Sequence, residues 1–175
     1  LVKDIRQSSQ IPIILMTYYN PVFKFGEQRF VKNATEAGVD GVIIPDLPPD
    51  EADTLIKLSK PAGLDTIFLL APTSTPDRIK KVAKTSRGFI YYVSITGITG
   101  ARLQMENSLI ESIKELRAIT KTPVAVGFGV KTPEDAKAVA GMADGVIVGS
   151  EIVARAAAND PSLKDFILSL RYAIG

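Results

Sequence analysis

Two short glycine-bearing motifs could hold an anion. Gly127-Phe128-Gly129 follows one apolar run, and Gly149-Ser150 follows the next. Glycine has no Cβ, so its backbone N–H can come close to a ligand. Ser150 reads as the cap of a short helix over 151–157, whose N-terminus carries partial positive charge. The pair points to a phosphate held by Gly129, Gly149 and Ser150, with plain turn glycines as the alternative. The stretch Ser94-Ile95-Thr96-Gly97-Ile98-Thr99-Gly100-Ala101-Arg102 is small, polar and broken by glycines. It lies in a gap of about 12 residues between a strand and the next predicted helix, longer than an ordinary connection, and reads as a lid, with a flexible surface loop as the alternative. Tyr18 and Tyr91 fall at or near strand ends. Either could meet an aromatic or hydroxylated ligand, or could be a core tyrosine with a satisfied hydroxyl. Asp46 follows Val42–Ile44 and is, by residue type and place, the candidate general base; a turn through Asp46-Leu47-Pro48-Pro49 is the alternative. Lys80, Lys81 and Lys84 read as a solvated helix face, and no lysine sits at a strand exit where a Schiff base would need it.

Composition narrows the chemistry further. The 175 residues contain no Cys and no His. That excludes a disulfide framework, a cysteine nucleophile, a Cys/His zinc site and a histidine base within them. Acid–base work falls to carboxylates, Tyr or Lys, and no metal is expected. With 21 basic and 19 acidic side chains the formal charge is +2, so charge gives no reason to expect nucleic acid or a membrane surface. No apolar run approaches the roughly 18 residues of a membrane span. Hydrophobic residues make up 46% of the chain, enough for one domain, expected over 1–175.

The elements that must position these residues alternate. Apolar runs at Pro12–Met16, Val39–Ile44, Thr66–Leu70, Phe89–Val93, Val124–Val126 and Gly145–Val148 are rich in Ile and Val and lack polar alternation. They read as parallel strands buried on both faces. Between them lie helical segments. An apolar stripe over Phe30, Val31, Ala34 and Ala37 ends at Gly38. Asp50 precedes a segment that Pro61 should stop. Thr75-Pro76, Thr132-Pro133 and Asp160-Pro161 look like caps followed by proline, and Ser108 with Glu111 looks like a capping box. Leu1–Gln10 reads as the tail of an earlier helix.

One repeat favours a closed barrel over an open sheet. Ala37-Gly38-Val39-Asp40-Gly41-Val42-Ile43-Ile44 matches Ala140 to Val148 with one extra residue, and Asp40 and Asp144 lie 104 positions apart. Four strand–helix units of about 26 residues fill that interval, as a repeated half-barrel would. The glycines gather after the last two strands, where (β/α)8 barrels hold phosphate, and not after the first, where doubly wound sheets do. The expected fold is therefore an α/β TIM (β/α)8 barrel of which about six units are visible, the C-terminal two-thirds. Asp40 and Asp144 precede their strands and belong to the stability face.

The residues then resemble a known family. Met16-Thr17-Tyr18-Tyr19-Asn20-Pro21 is similar to the third strand's exit in tryptophan synthase alpha chains, and Val39 to Pro48 to their fourth strand. Leu70-Ala71-Pro72-Thr73-Ser74 resembles the fifth exit, Ser94 to Gly100 the sixth loop, and Gly127 to Val130 with Gly149-Ser150 the phosphate site. The resemblance implies a lyase of tryptophan biosynthesis. Such a lyase cleaves indole-3-glycerol phosphate by a retro-aldol reaction into indole and glyceraldehyde 3-phosphate. It implies substrate contacts at Tyr18, Tyr91, Thr99, Gly100 and Phe128, and phosphate contacts at Gly129, Gly149 and Ser150. No cofactor is implied in this subunit; pyridoxal phosphate belongs to the partner beta subunit of an alpha-beta-beta-alpha heterotetramer, which is cytoplasmic. The loops after Asn20 and Asp46 would face that partner. The family's catalytic Glu and Asp fall before Leu1, so neither is assignable here, and the 175 residues alone are expected to be inactive. Two alternatives remain: another phosphosugar isomerase or aldolase on the same barrel, and a non-catalytic scaffold that binds phosphate and a beta subunit.

Overall fold

The computed structural model describes residues 1–93, 102–127 and 129–175, and the side chains of all of these except 102–108. The chain divides into two compact units, one of residues 1–69 with 75–90 and one of residues 70–74 with 91–175. In chain order the first elements are α1 (Val2–Arg6), β1 (Ile14–Met16), α2 (Tyr19–Phe25), α3 (Glu27–Ala37), β2 (Gly41–Ile43), α4 (Asp53–Ala62) and β3 (Asp65–Ile67). They are followed by β4 (Leu69–Leu70), α5 (Pro76–Thr85), β5 (Ile90–Val93), α6 (Arg102–Ile119), β6 (Val124–Gly127), α7 (Pro133–Ala140), β7 (Gly145–Ile147), α8 (Ser150–Ala157) and α9 (Leu163–Ile174). One sheet has the order β1-β2-β3 and the other β4-β5-β6-β7. The pairs β1–β2, β2–β3 and β6–β7 are parallel. The apolar run at 66–70 is thus one strand position divided at Phe68, and the six expected strands are all present. No described helix is long and apolar enough to cross a membrane.

Most helix boundaries follow local chemistry. Thr75 accepts from the Arg78 N–H with Pro76 at the first helical position. Thr132 and Asp135 form a reciprocal capping box ahead of α7, and α3 ends at Gly38 in the left-handed conformation. Five expectations need correction. Asp50 does not cap α4, whose N-cap is Ala52, and Pro61 lies inside that helix. Pro61 forgoes its own N–H bond with one helical residue left to follow, and Gly63 in the left-handed region ends the helix instead. Asp160-Pro161 does not open α9: Ser162 is its N-cap, and Asp160 accepts from the Ser162 N–H and hydroxyl at 2.8 and 2.7 Å in a turn. Ser108 lies within α6, which begins at Arg102, because Arg-Leu-Gln-Met-Glu are all good helix formers. Gly149, not Ser150, is the N-cap of α8. The helix α2, with no counterpart in the sequence reading, follows β1 directly.

The repeat appears in the wiring. Asp40 and Ile13 form a closed pair: the Asp40 N–H donates to the Ile13 carbonyl at 2.9 Å, and the Ile13 N–H donates to Asp40 Oδ2 at 2.7 Å. Asp144 and Val124 do the same at 3.0 and 2.9 Å. Each carboxylate also meets an arginine on the helix before the neighbouring strand, Arg6 of α1 ahead of β1 at 2.5 Å and Arg117 of α6 ahead of β6 at 2.7 Å. Each clamp ties the start of one strand to the start of its neighbour, and both aspartates stand at the N-terminal ends of their strands.

Candidate functional site

The second unit carries most of the expected site. Its strands alternate in burial: Ile90, Tyr92, Val124 and Val126 are buried, whereas Tyr91, Val93, Ala125 and Gly127 are half-exposed. The Tyr92 hydroxyl donates to Ser112 Oγ of α6 at 3.2 Å, so the buried face is the helix-covered one. Successive residues of a strand point oppositely, and Tyr91 therefore presents its ring on the other face. That ring lies on the backbone of Gly127. A Cβ there would fall 2.5 Å from Tyr91 Cε2 and 2.6 Å from its hydroxyl. Gly127 is glycine because a tyrosine occupies its side-chain volume. Burial pushes the Tyr91 hydroxyl above its ordinary pKa, so it is an O–H donor at neutral pH.

Register brings the two glycine motifs together. Gly127 pairs with Ile147 across β6 and β7, so Gly129 and Gly149 each stand two residues past the same rung. Gly129 is exposed with φ +43°, a conformation that favours glycine. Gly149 is exposed, and a Cβ added to it meets nothing within 4 Å. The first backbone bond of α8 runs from the Val153 N–H to the Gly149 carbonyl at 3.0 Å. The helical geometry thus leaves the amides of Ser150, Glu151 and Ile152 directed past the helix end. Ser150, as the first helical residue, offers an N–H and a hydroxyl. Positive helix end, left-handed glycine and open space together suit a phosphate dianion.

Glu151, in the first turn of that helix, carries the wrong charge for an anion seat. Its Oε1 is bonded by Arg155 Nε at 2.9 Å. Arg155 Nη1 meets Asp160 Oδ2 at 2.9 Å and Ser162 Oγ at 3.3 Å, and the guanidinium stacks 4.2 Å from the centre of the Phe166 ring. The serine bonds and Arg155 hold the Asp160 carboxyl below its ordinary pKa. The i, i+4 spacing of Glu151 and Arg155 was legible in the sequence; its place beside the glycine motif was not.

Tyr18 lies in the first unit, as the N-cap of α2, and is 68% exposed. Asp46 accepts the Tyr19 N–H, the first amide of α2, at 2.9 Å. An acid at a helix N-terminus has a structural task, so Asp46 is less suited to act as a base. The Tyr19 hydroxyl donates to Glu27 at 3.3 Å, and partial burial followed by the Glu27 charge raises its pKa. Thr99, Gly100 and Phe128, together with the lid stretch from Ser94 to Ala101, lie outside the described residues. On either side of that stretch the described chain ends β5 at Val93 and resumes in α6 at Arg102. Among the described residues no cluster of three or more acidic side chains could hold a metal.

The family model of the tryptophan synthase alpha chain matches residues 1–169. The chain belongs to the tryptophan synthase alpha chain family. It is 52% identical over 153 residues to the tryptophan synthase alpha chain of Geotalea uraniireducens, across 87% of this chain and 57% of that one. A tryptophan synthase structure from Mycobacterium tuberculosis superposes with a TM-score of 0.89 at 39% identity, over 99% of this chain and 66% of that one. A tryptophan synthase complex from Pyrococcus furiosus gives a TM-score of 0.84 at 33% identity, over 97% of this chain and 69% of that one. The chain thus spans a little over half the length of the Geotalea relative. The fold class read from the sequence, a TIM barrel represented by six strand positions, is that of the tryptophan synthase alpha family.

Proposed function

We propose that residues 1–175 form the C-terminal two-thirds of one barrel domain in a tryptophan synthase alpha subunit. This part holds the substrate of a lyase that cleaves indole-3-glycerol phosphate to indole and glyceraldehyde 3-phosphate. The observation that carries the reading is the shared rung at which Gly129 and Gly149 leave paired strands, in a chain of this family. Gly129, Gly149 and Ser150 grip the phosphate through amides and the serine hydroxyl. Tyr91 supplies a flat face and a neutral O–H donor beside it. Tyr18, Thr99, Gly100 and Phe128 complete the substrate contacts. The acid–base carboxylates of the retro-aldol step are not among these residues. The subunit itself needs no cofactor in this reading. Its partner is a pyridoxal-phosphate beta subunit in the cytoplasm, docked on the loop after Asp46 and on α2, the helix that stands where a loop after Asn20 was expected and in which Phe23 is 64% exposed.

The test is twofold. In the natural protein, inorganic phosphate shifts the amide resonances of Gly129 and Ser150, and Gly149→Asp raises KM for indole-3-glycerol phosphate far more than it lowers kcat. Unmoved amides remove the phosphate site and with it the substrate class. A polypeptide made only of these 175 residues is expected to release no indole, and measurable cleavage by it would place the catalytic carboxylates within 1–175.

A further inference from the structure

We propose that Arg155 is a positioning residue for the phosphate seat of α8, acting through Glu151; this rests on the phosphate reading above. The Cα–Cβ bonds of a helix tilt toward its N-terminus. A glutamate at the second helical position therefore leans naturally over the open amides at the helix start. There its carboxylate can accept those same N–H groups, and its charge repels an incoming phosphate. Arg155 prevents both. It lies one turn further along the same face and draws the carboxylate back along the helix by the 2.9 Å bond to Oε1.

The arginine is fixed enough to do this. Asp160 and Ser162 hold Nη1, and the Phe166 ring lies 4.2 Å from the guanidinium carbon. Its side chain is 29% exposed and that of Glu151 28%, so neither sweeps freely through solvent. The glutamate negative charge remains useful to the helix, while the donors of Ser150, Glu151 and Ile152 stay open. An acidic first turn and an anion seat coexist because a cation four residues on neutralises the acid and restrains it.

The experiment measures inorganic phosphate affinity in the natural protein, from the Ser150 and Gly129 amide shifts, alongside KM and kcat. The variants are Arg155→Met, Glu151→Gln, the double variant and Asp160→Asn. Methionine keeps an unbranched stem against Phe166. Arg155→Met is expected to weaken phosphate about three- to tenfold and to raise KM with kcat unchanged. Adding Glu151→Gln restores the affinity, a gain that damage to the fold cannot produce. Asp160→Asn removes one of the two holds on Arg155 Nη1 and is expected to weaken phosphate clearly less than Arg155→Met does, because Arg155 keeps its Glu151 bond. The proposal is overturned if the double variant binds as weakly as Arg155→Met, which would make Arg155 a direct counter-charge. It is also overturned if Asp160→Asn weakens binding as much, which would make the role structural. Phosphate response in the wild type with none of these differences removes Arg155's role alone; no response in the wild type removes the seat as well.

Discussion

The exits of β2 and β7 are two copies of one repeat that have taken opposite electrostatic roles. Both strands begin with Asp-Gly-Val-Ile, and Asp46 and Ser150 occupy equivalent places 104 positions apart. Asp46 brings an anion of the chain's own to a helix N-terminus, the Tyr19 amide of α2. Ser150 opens a helix whose end receives no such carboxylate from its own strand exit, and Glu151, the acid nearest it, is turned aside by Arg155. One exit supplies an anion to a helix start; the other begins a helix at Gly149, where the proposed function seats a phosphate. At the opposite strand ends the copies agree, each with its Asp–Arg clamp, so the two copies share the wiring at the strand starts and differ at the strand exits.

The clamps differ in depth, and this sets the order of expected effects. Arg6 has a side-chain exposure of 17% and bonds Gly38 O at 2.9 Å and Ile11 O at 2.6 Å besides Asp40, whereas Arg117 is 53% exposed. Arg6→Ala should therefore cost about 2–3 kcal/mol by chemical denaturation. A loss below that of Arg117→Ala would reverse the comparison. Gly38→Ala comes next, at about 1–2 kcal/mol, because φ is +92° and the new Cβ would fall 2.9 Å from Arg6 Cγ. Its counterpart Gly141 has φ −68°, and a Cβ there would make only ordinary contacts, 3.5 Å from Ala138 O and 3.8 Å from Lys137 O, so Gly141→Ala should be neutral or slightly stabilising.

Asp46→Ala should destabilise by about 1 kcal/mol through the lost α2 contact, with phosphate binding intact. Abolished turnover with normal stability and normal phosphate affinity would instead make Asp46 the base of a different phosphosugar enzyme. Arg117→Ala should cost less than about 1 kcal/mol, the usual range of an exposed pair. The smallest effect is one of pH. The Val124 N–H, then Arg117, hold the Asp144 carboxyl below its ordinary pKa, against the opposing effect of burial. A depressed carboxylate stabilises the folded chain above the ordinary aspartate range, about 4, and that contribution disappears as pH falls through the folded value. Comparing acid denaturation of Asp144→Asn with the parent should show this loss absent from the variant.

The strand order, the repeat and the fold class were all legible because buried Ile/Val runs and cap-proline pairs are local signals. The Asp40 and Asp144 places at the stability face followed from the barrel rule alone. What the sequence hid was long-range. Residue type and place alone made Asp46 a base candidate, while the family resemblance puts it in the partner-facing loop and not as the base; neither indicates that the Tyr19 amide, 27 residues away, donates to its carboxylate. Ser150 read as a cap because its residue type favours that role, although the turn made Gly149 the boundary. Gly127 read as part of an anion motif, and only the fold reveals that Tyr91 fills its side-chain space.

That last contact has a consequence for how the gene can drift. Tyr91 and Gly127 are 36 codons apart, yet they share one volume. A first mutation that gives residue 127 a side chain is deleterious while the tyrosine remains, and Tyr91→Phe does not release it, because Cε2 is the nearest atom at 2.5 Å. A reversion screen on Gly127→Ala should accordingly return, besides true revertants, changes at codon 91 to residues smaller than phenylalanine. The two positions are expected to change together.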